Sequence, residues 1–206
     1  VCLNWGCIPT KSLLKNAYVL DLVKNAGKYG IDIPSFKVNW DKVVKRSRNI
    51  AKRLSKGIEY LMKKNKIDYL SGVATLRDSN KVSIKQSNGK SKVITSNNII
   101  IATGTKQKNL PGLTIDHQQI ISSKEAMVLD DIPKRMAIIG AGAIGVEFAH
   151  LYNAFGSDIT LIEAQENILP NEDLEISSEL HTLFSKRKIN IITNKTVDKV
   201  SKNKKA

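Results

Sequence analysis

Residues 135–163 constrain the fold more than any other stretch of the chain. The apolar run 135–140 reads as a strand, and Gly140-Ala141-Gly142-Ala143-Ile144-Gly145 follows it. An apolar-periodic helix is expected over 143–155, then a second strand over 158–164 that carries the acid Glu163. A glycine-rich turn between a strand and a helix, with a carboxylate about 20 residues on, is the sequence form of a dinucleotide site. The first glycine, Gly140, permits a tight turn. Gly142 lets backbone approach a pyrophosphate, and Gly145 lets the helix lie close to the strand. The phosphates are expected on the helix N-terminus, at Gly142, Ala143 and Ile144, where unpaired N–H groups and the positive end of the dipole face them. The Glu163 carboxylate can accept hydrogen bonds from ribose hydroxyls and repels a 2′-phosphate. No arginine follows it in Ala164-Gln165-Glu166-Asn167, so the pattern points to NAD rather than NADP.

The alternation continues with a helix over 174–187 and a strand over 189–193. Such β-α-β-α-β order implies a parallel, doubly wound sheet. The N-terminal half reads differently. Pro9 suits the first turn of a helix, and Leu13, Leu14, Ala17 and Leu20 follow at helical spacing. Gly27 and Gly30 offer stop signals. A second helix is expected from Asn39 as cap, with Trp40, Val43, Val44, Ile50, Leu54, Ile58, Leu61 and Met62 as a core-facing stripe. Short strands are expected over 69–76, 81–86 and 92–95, with Asn88-Gly89 as a hairpin signal. The near-continuous apolar run 98–102, leading into Thr103-Gly104, reads as a strand covered on both faces. Residues 107–133, with Pro111-Gly112 and Ile132-Pro133, read as a connection.

The chain's two cysteines, Cys2 and Cys7, stand five residues apart at the head of the first helix. That spacing lets the sulfurs meet in a local bridge. Small closed loops stabilise a fold less than large ones, so a bridge here suits redox chemistry better than stapling. The helix dipole favours thiolate, the reactive form. The segment Cys2-Leu3-Asn4-Trp5-Gly6-Cys7-Ile8-Pro9-Thr10-Lys11 resembles the redox-active site of the pyridine nucleotide–disulfide oxidoreductases, and within them the wording is most similar to the members that oxidise dihydrolipoamide.

That resemblance covers the whole chain and implies an α/β architecture. Residues 1–107 would form a partial FAD-binding domain (a helix pair plus a small β region) with the redox-active disulfide. Residues 108–134 would connect it to a partial Rossmann-like NAD-binding domain over 135–206. It implies an enzyme that oxidises protein-bound dihydrolipoamide through Cys2–Cys7 and FAD to reduce NAD⁺. Cys2 would be the exposed interchange thiol and Cys7 the one facing the flavin. Lys11 would lie near the flavin ring and pair with Glu147. Ala74 would contact FAD through its backbone, and Thr103, Gly104 and Thr105 would run beside the cofactor. The implied partners are lipoyl domains of 2-oxoacid dehydrogenase complexes, the glycine-cleavage carrier, and a second copy in a homodimer. Glutathione- or mercuric-reductase-type members and a non-catalytic truncated relative stand as alternatives.

The resemblance also defines what lies elsewhere. The family's first FAD-binding glycine motif and its C-terminal dimerisation domain, with an acid–base His–Glu pair, have no counterpart in these residues. The chain is therefore expected to be an internal piece of a longer enzyme, inactive alone. His117, His150 and His181 are not in the family's His-Pro context and read as ordinary loop and helix residues. A net charge of +14 raises nucleic acid as a partner, but the lysines are spread along the chain and aromatics are 5%, which argues against it. The basic clusters at 63–66 and 202–205 read as solvated ends. No apolar run approaches the roughly 18 residues that suggest a membrane span. A reactive pair without further cysteines suits a reducing, cytoplasmic compartment.

Overall fold

A computed structural model describes residues 1–107 and 110–201; the basic cluster at 202–205 lies outside the described residues. The chain divides into two compact units, residues 1–52 with 107–206, and residues 53–106. The helix α3 (Trp40–Lys64) contributes to both.

The larger unit begins with a short helix α1 (Cys2–Trp5), broken at Gly6 from α2 (Cys7–Lys24). Pro9 sits buried in the first turn of α2, as its ring predicts. The helix ends into a 3-10 turn, Ala26–Tyr29, closed by Gly30. α3 starts where expected: the Asn39 side chain accepts from the Lys42 N–H at 3.0 Å. The connection holds a short helix, α4 (Ser123–Ala126), which sequence periodicity does not signal. It is fixed by a capping box in which Ser122 and Glu125 satisfy each other's backbone N–H groups.

The second half follows the sequence reading closely. Strands β4 (Arg135–Ile139), β5 (Asp158–Ile162) and β6 (Asn190–Ile192) form a parallel sheet in the order β4-β5-β6. Helices α5 (Ala143–Ala154) and α6 (Leu174–Lys186) make the crossovers. The core gathers Leu13 and Ala17 of α2, Trp40 of α3, and Phe148, Leu151 and Tyr152 of α5 over Ile159 and Leu161 of β5. Trp40 donates to the Leu129 carbonyl at 2.8 Å and Tyr152 to the Ala126 carbonyl at 2.5 Å. The two largest core side chains thereby satisfy their polar ends. Burial holds the Tyr152 phenol well above its ordinary pKa.

The smaller unit carries an antiparallel sheet, β1 (Val73–Leu76), β2 (Lys81–Lys85) and β3 (Ser91–Thr95), in that order. The Asn88-Gly89 turn joins β2 to β3, with Gly89 N donating to Gln86 O at 3.0 Å. Here two expectations fail. Residues 98–104 form no strand, and Ile100 and Ile101 are 90% and 69% exposed. The expected core stripe of α3 also stands exposed at Leu54, Ile58 and Leu61. The reason is shared. An apolar run becomes a strand only by pairing with a neighbour, and a helix stripe is buried only against a facing surface; the described residues offer neither.

Such exposed apolar segments predict self-association of the isolated chain. Light scattering should show concentration-dependent oligomers; a monodisperse monomer with a cooperative melt would contradict this. Leu13→Ala, at a fully buried site, should lower stability by about 2–5 kcal/mol, measured by urea unfolding of a soluble form.

Candidate functional site

The dinucleotide loop forms as the sequence implies. Gly140 has φ +98°, a left-handed turn that side chains rarely adopt. A Cβ on Gly145 would stand 1.9 Å from the Gly140 carbonyl oxygen, so α5 can approach the turn only through glycine. A Cβ on Gly142 meets nothing within 4 Å, leaving the loop's outer face open. The loop is tied down on its inner side: Gly140 N donates to Ile162 O, and Ala141 O accepts from Leu169 N, both at 2.8 Å.

Glu163 lies at the end of β5, only 8% exposed. Its Oε2 accepts from Ala141 N at 2.7 Å and its Oε1 from Gln165 N at 3.0 Å. A carboxylate has about four lone-pair sites, so two remain after these bonds. The sequence reading missed these bonds, by which Glu163 orients the glycine loop.

At the other end of the site, Cys2 and Cys7 are both exposed free thiols. The two side chains lie within hydrogen-bonding reach, one thiol bonded to the other. That bond pulls the Cys2 pKa below the ordinary thiol value, because Cys7 donates to the Cys2 thiolate, and holds the Cys7 pKa above it. Lys11 opposes the rise at Cys7. The reduced pair thus tends to one thiolate and one thiol rather than two thiolates.

The structure brings Lys11 and Glu147 together as an ion pair between α2 and α5. Two further ties run parallel to it. Lys24 donates to the Ala154 carbonyl at 2.7 Å, and Asp21 pairs with Arg187 at 2.7 Å. Beside the latter, His150 is half-buried, and burial lowers its pKa first, with Arg187 adding to the drop and Asp21 opposing it. His117 is not a bystander either: its Nδ1 lies 3.0 Å from Glu125 Oε1. Ala74, on β1, and Thr103, Gly104 and Thr105 lie exposed in the smaller unit. Among the described residues no cluster of His, Cys, Asp and Glu could hold a metal ion, and no helix is long and apolar enough to cross a membrane.

A parallel sheet with a glycine-rich strand–helix turn, tied to a helix that begins on one of two neighbouring thiols, defines an α/β protein. The family described as pyridine nucleotide-disulphide oxidoreductase matches residues 1–206, and the chain belongs to it. Its relatives include the dihydrolipoyl dehydrogenases of Chlorobaculum tepidum, 41% identical over 98% of this chain and 43% of that protein, and of Bacillus subtilis, 35% identical over 95% and 43%. The chain thus spans less than half the length of these curated relatives. LpdA from Mycobacterium tuberculosis shares the fold, with TM-score 0.90 over 98% of this chain and 44% of that one, at 21% identity. The HOCl-induced flavoprotein disulfide reductase RclA from Escherichia coli superposes with TM-score 0.80 at 26% identity, over 98% of this chain and 42% of that one.

Two outcomes are expected. Cys7→Ala should move the pH–rate profile for alkylation of Cys2 to higher pH, because the donor that stabilises its thiolate is lost; an unmoved profile contradicts the shared-proton pair. Glu125 gives the second. Burial pushes its carboxyl up, but hydrogen bonds from the Ser122 side chain and backbone and from His117 outweigh it and hold the pKa at about 2, against 4.5 ordinarily. Its contribution to stability is therefore complete above about pH 4.5 and is lost as pH falls towards about 2. Glu125→Gln should flatten that part of an acid-unfolding curve.

Proposed function

We propose that this chain is the central segment of a dihydrolipoyl dehydrogenase, which oxidises protein-bound dihydrolipoamide and reduces NAD⁺. The observation that carries the reading is the joining of a thiol pair, through Lys11 and Glu147, to the helix of an intact dinucleotide loop. The 35–41% identity to dihydrolipoyl dehydrogenases supports it.

In this reading residues 1–107 belong to the FAD-binding domain, 108–134 to the connection and 135–206 to the NAD-binding domain. The oxidised state holds a Cys2–Cys7 bond. A substrate thiolate attacks Cys2 Sγ, forming a mixed disulfide and releasing Cys7 as thiolate. The second substrate thiolate then attacks the substrate sulfur of that bond, closing the lipoamide disulfide and freeing Cys2. Two electrons now reside on the pair. Of the dithiol's two protons, one stays on the reduced pair as a thiol and the other goes to a base that the family carries as a His–Glu pair outside this chain. Bound beside the pair, FAD would supply the two-electron acceptor for it and the hydride donor for NAD⁺.

The residues present fit both cofactors. The open face at Gly142, with Ala143 and Ile144 in the first turn of α5, suits a pyrophosphate, and Glu163 keeps acceptor capacity for ribose hydroxyls. Lys11 stands one helical turn beyond Cys7, a place for a cation that stabilises negative charge on a flavin. Ala74 would contact FAD through its backbone, and Thr103, Gly104 and Thr105 would run beside it. The apolar run 98–102 would pair with strands from the part of its relatives' length that this chain does not span. The lipoyl carriers of 2-oxoacid dehydrogenase complexes and of glycine cleavage are the partners, the full protein is a homodimer, and the compartment is the cytoplasm.

A second reading, another flavoprotein disulfide reductase, draws on the likeness to RclA. The full-length protein should reduce NAD⁺ with dihydrolipoamide, and Cys2→Ser or Cys7→Ser should bring that rate to background. Preference for NADPH with glutathione, or full activity in Cys7→Ser, would overturn the leading reading. Glu163→Ala should weaken NADH binding and lower stability by about 1–3 kcal/mol, because Ala141 N is left without its acceptor.

A further inference from the structure

Residues 4–6, which separate the two cysteines, are held by other elements. Arg48 of α3 donates to the Asn4 carbonyl at 2.5 Å, and its guanidinium lies 4.4 Å from the Trp5 ring centroid. The Lys124 ammonium of α4 lies 5.0 Å from the same centroid. Trp5 therefore has two cations within the range in which an aromatic face attracts positive charge. The next residue closes the other side. A Cβ on Gly6 would stand 3.0 Å from the Cys2 Cα, so the chain turns back on Cys2 through a residue without a side chain.

This local shape matters because of what a disulfide requires. Its Cα atoms must approach to about 4.4–6.8 Å. An unbroken helix would separate residues five apart by about 7.5 Å of rise alone. Cys2 and Cys7 can bond only while the break between α1 and α2 persists. Propensity alone does not secure that break, since α1 and α2 flank it as helix on both sides.

Resting on the disulfide exchange proposed above, we propose that Arg48 and Lys124 are positioning residues of the redox pair. Their grip on Trp5 and Asn4 holds the break between α1 and α2, keeps the two sulfurs facing each other, and so sets how strongly the pair favours disulfide over dithiol. Closing the pair forms one S–S bond and releases two electrons and two protons. In a glutathione buffer these reduce one glutathione disulfide to two thiols.

The test equilibrates the full-length protein with glutathione buffers of graded ratio, quenches with acid, alkylates, and reads the Cys2–Cys7 midpoint by mass spectrometry. In Trp5→Leu and Arg48→Met the loop loosens, and closure should become about tenfold less favourable. That shifts the midpoint by roughly 30 mV toward easier reduction. Lys124→Met should move it less in the same direction, and Arg48→Lys should recover part of the loss. Lys15→Met removes a cation lying 4.0 Å over Tyr18, on α2, and should leave the midpoint in place. Unmoved midpoints in Trp5→Leu and Lys124→Met, in protein with parental circular dichroism, would overturn the inference even if Arg48→Met fails to fold. A parent that forms no Cys2–Cys7 bridge brings down the exchange reading and this inference together. A bridging parent with unmoved variants overturns this inference alone.

Discussion

Leu13 and Ala17, both without exposed surface, are where the helix that begins on Cys7 and the helix that follows the glycine loop are joined. They lie on α2, which begins on Cys7, and they share one core with Val146, Phe148 and Tyr152 of α5, whose first turn is the dinucleotide loop. Fully burying an aliphatic side chain stabilises by about 1.5–3 kcal/mol, whereas an exposed ion pair contributes about 0–1 kcal/mol. Apolar docking therefore holds the two helices together. The Lys11–Glu147 pair and the Lys24–Ala154 bond contribute less energy and more direction. They fix rotation and register along a contact that apolar packing alone would leave free to slide.

The nucleotide loop shows the same division of labour. Gly145 allows α5 to sit against the turn, and the Glu163 carboxylate then pins Ala141 from beneath.

How far all this was legible in the residues depends on the range of the interactions. The parallel sheet and the fingerprint could be read because their signals are local: a period, a glycine spacing, an acid at a strand end. The thiol pair could be read for the same reason. The tie between Glu163 and the loop could not, since its partner Ala141 donates through the backbone, and a backbone N–H leaves no trace in residue identity. The capping box at Ser122–Glu125 could have been found, because serine followed three residues later by glutamate is its usual signature. The grip of Arg48 and Lys124 on Trp5 had no signal at all; the three residues come from separate elements. The failures at 98–104 and along α3 were of another kind. The apolar pattern was read as a covered strand and a core-facing stripe, but among the described residues nothing covers either.

The measurement that bears most directly on the account is trapping of the thiols during turnover in the flavin-loaded, full-length protein. NADH is added without oxygen, the protein is quenched with an alkylating agent, and Cys2 and Cys7 are followed by mass spectrometry. The account predicts that both cysteines are bridged at the start, become alkylated after NADH, and return to the bridged form when lipoamide is supplied. Cysteines that stay bridged with NADH, or stay reduced with lipoamide, would show that the thiol pair and the nucleotide site do not exchange electrons.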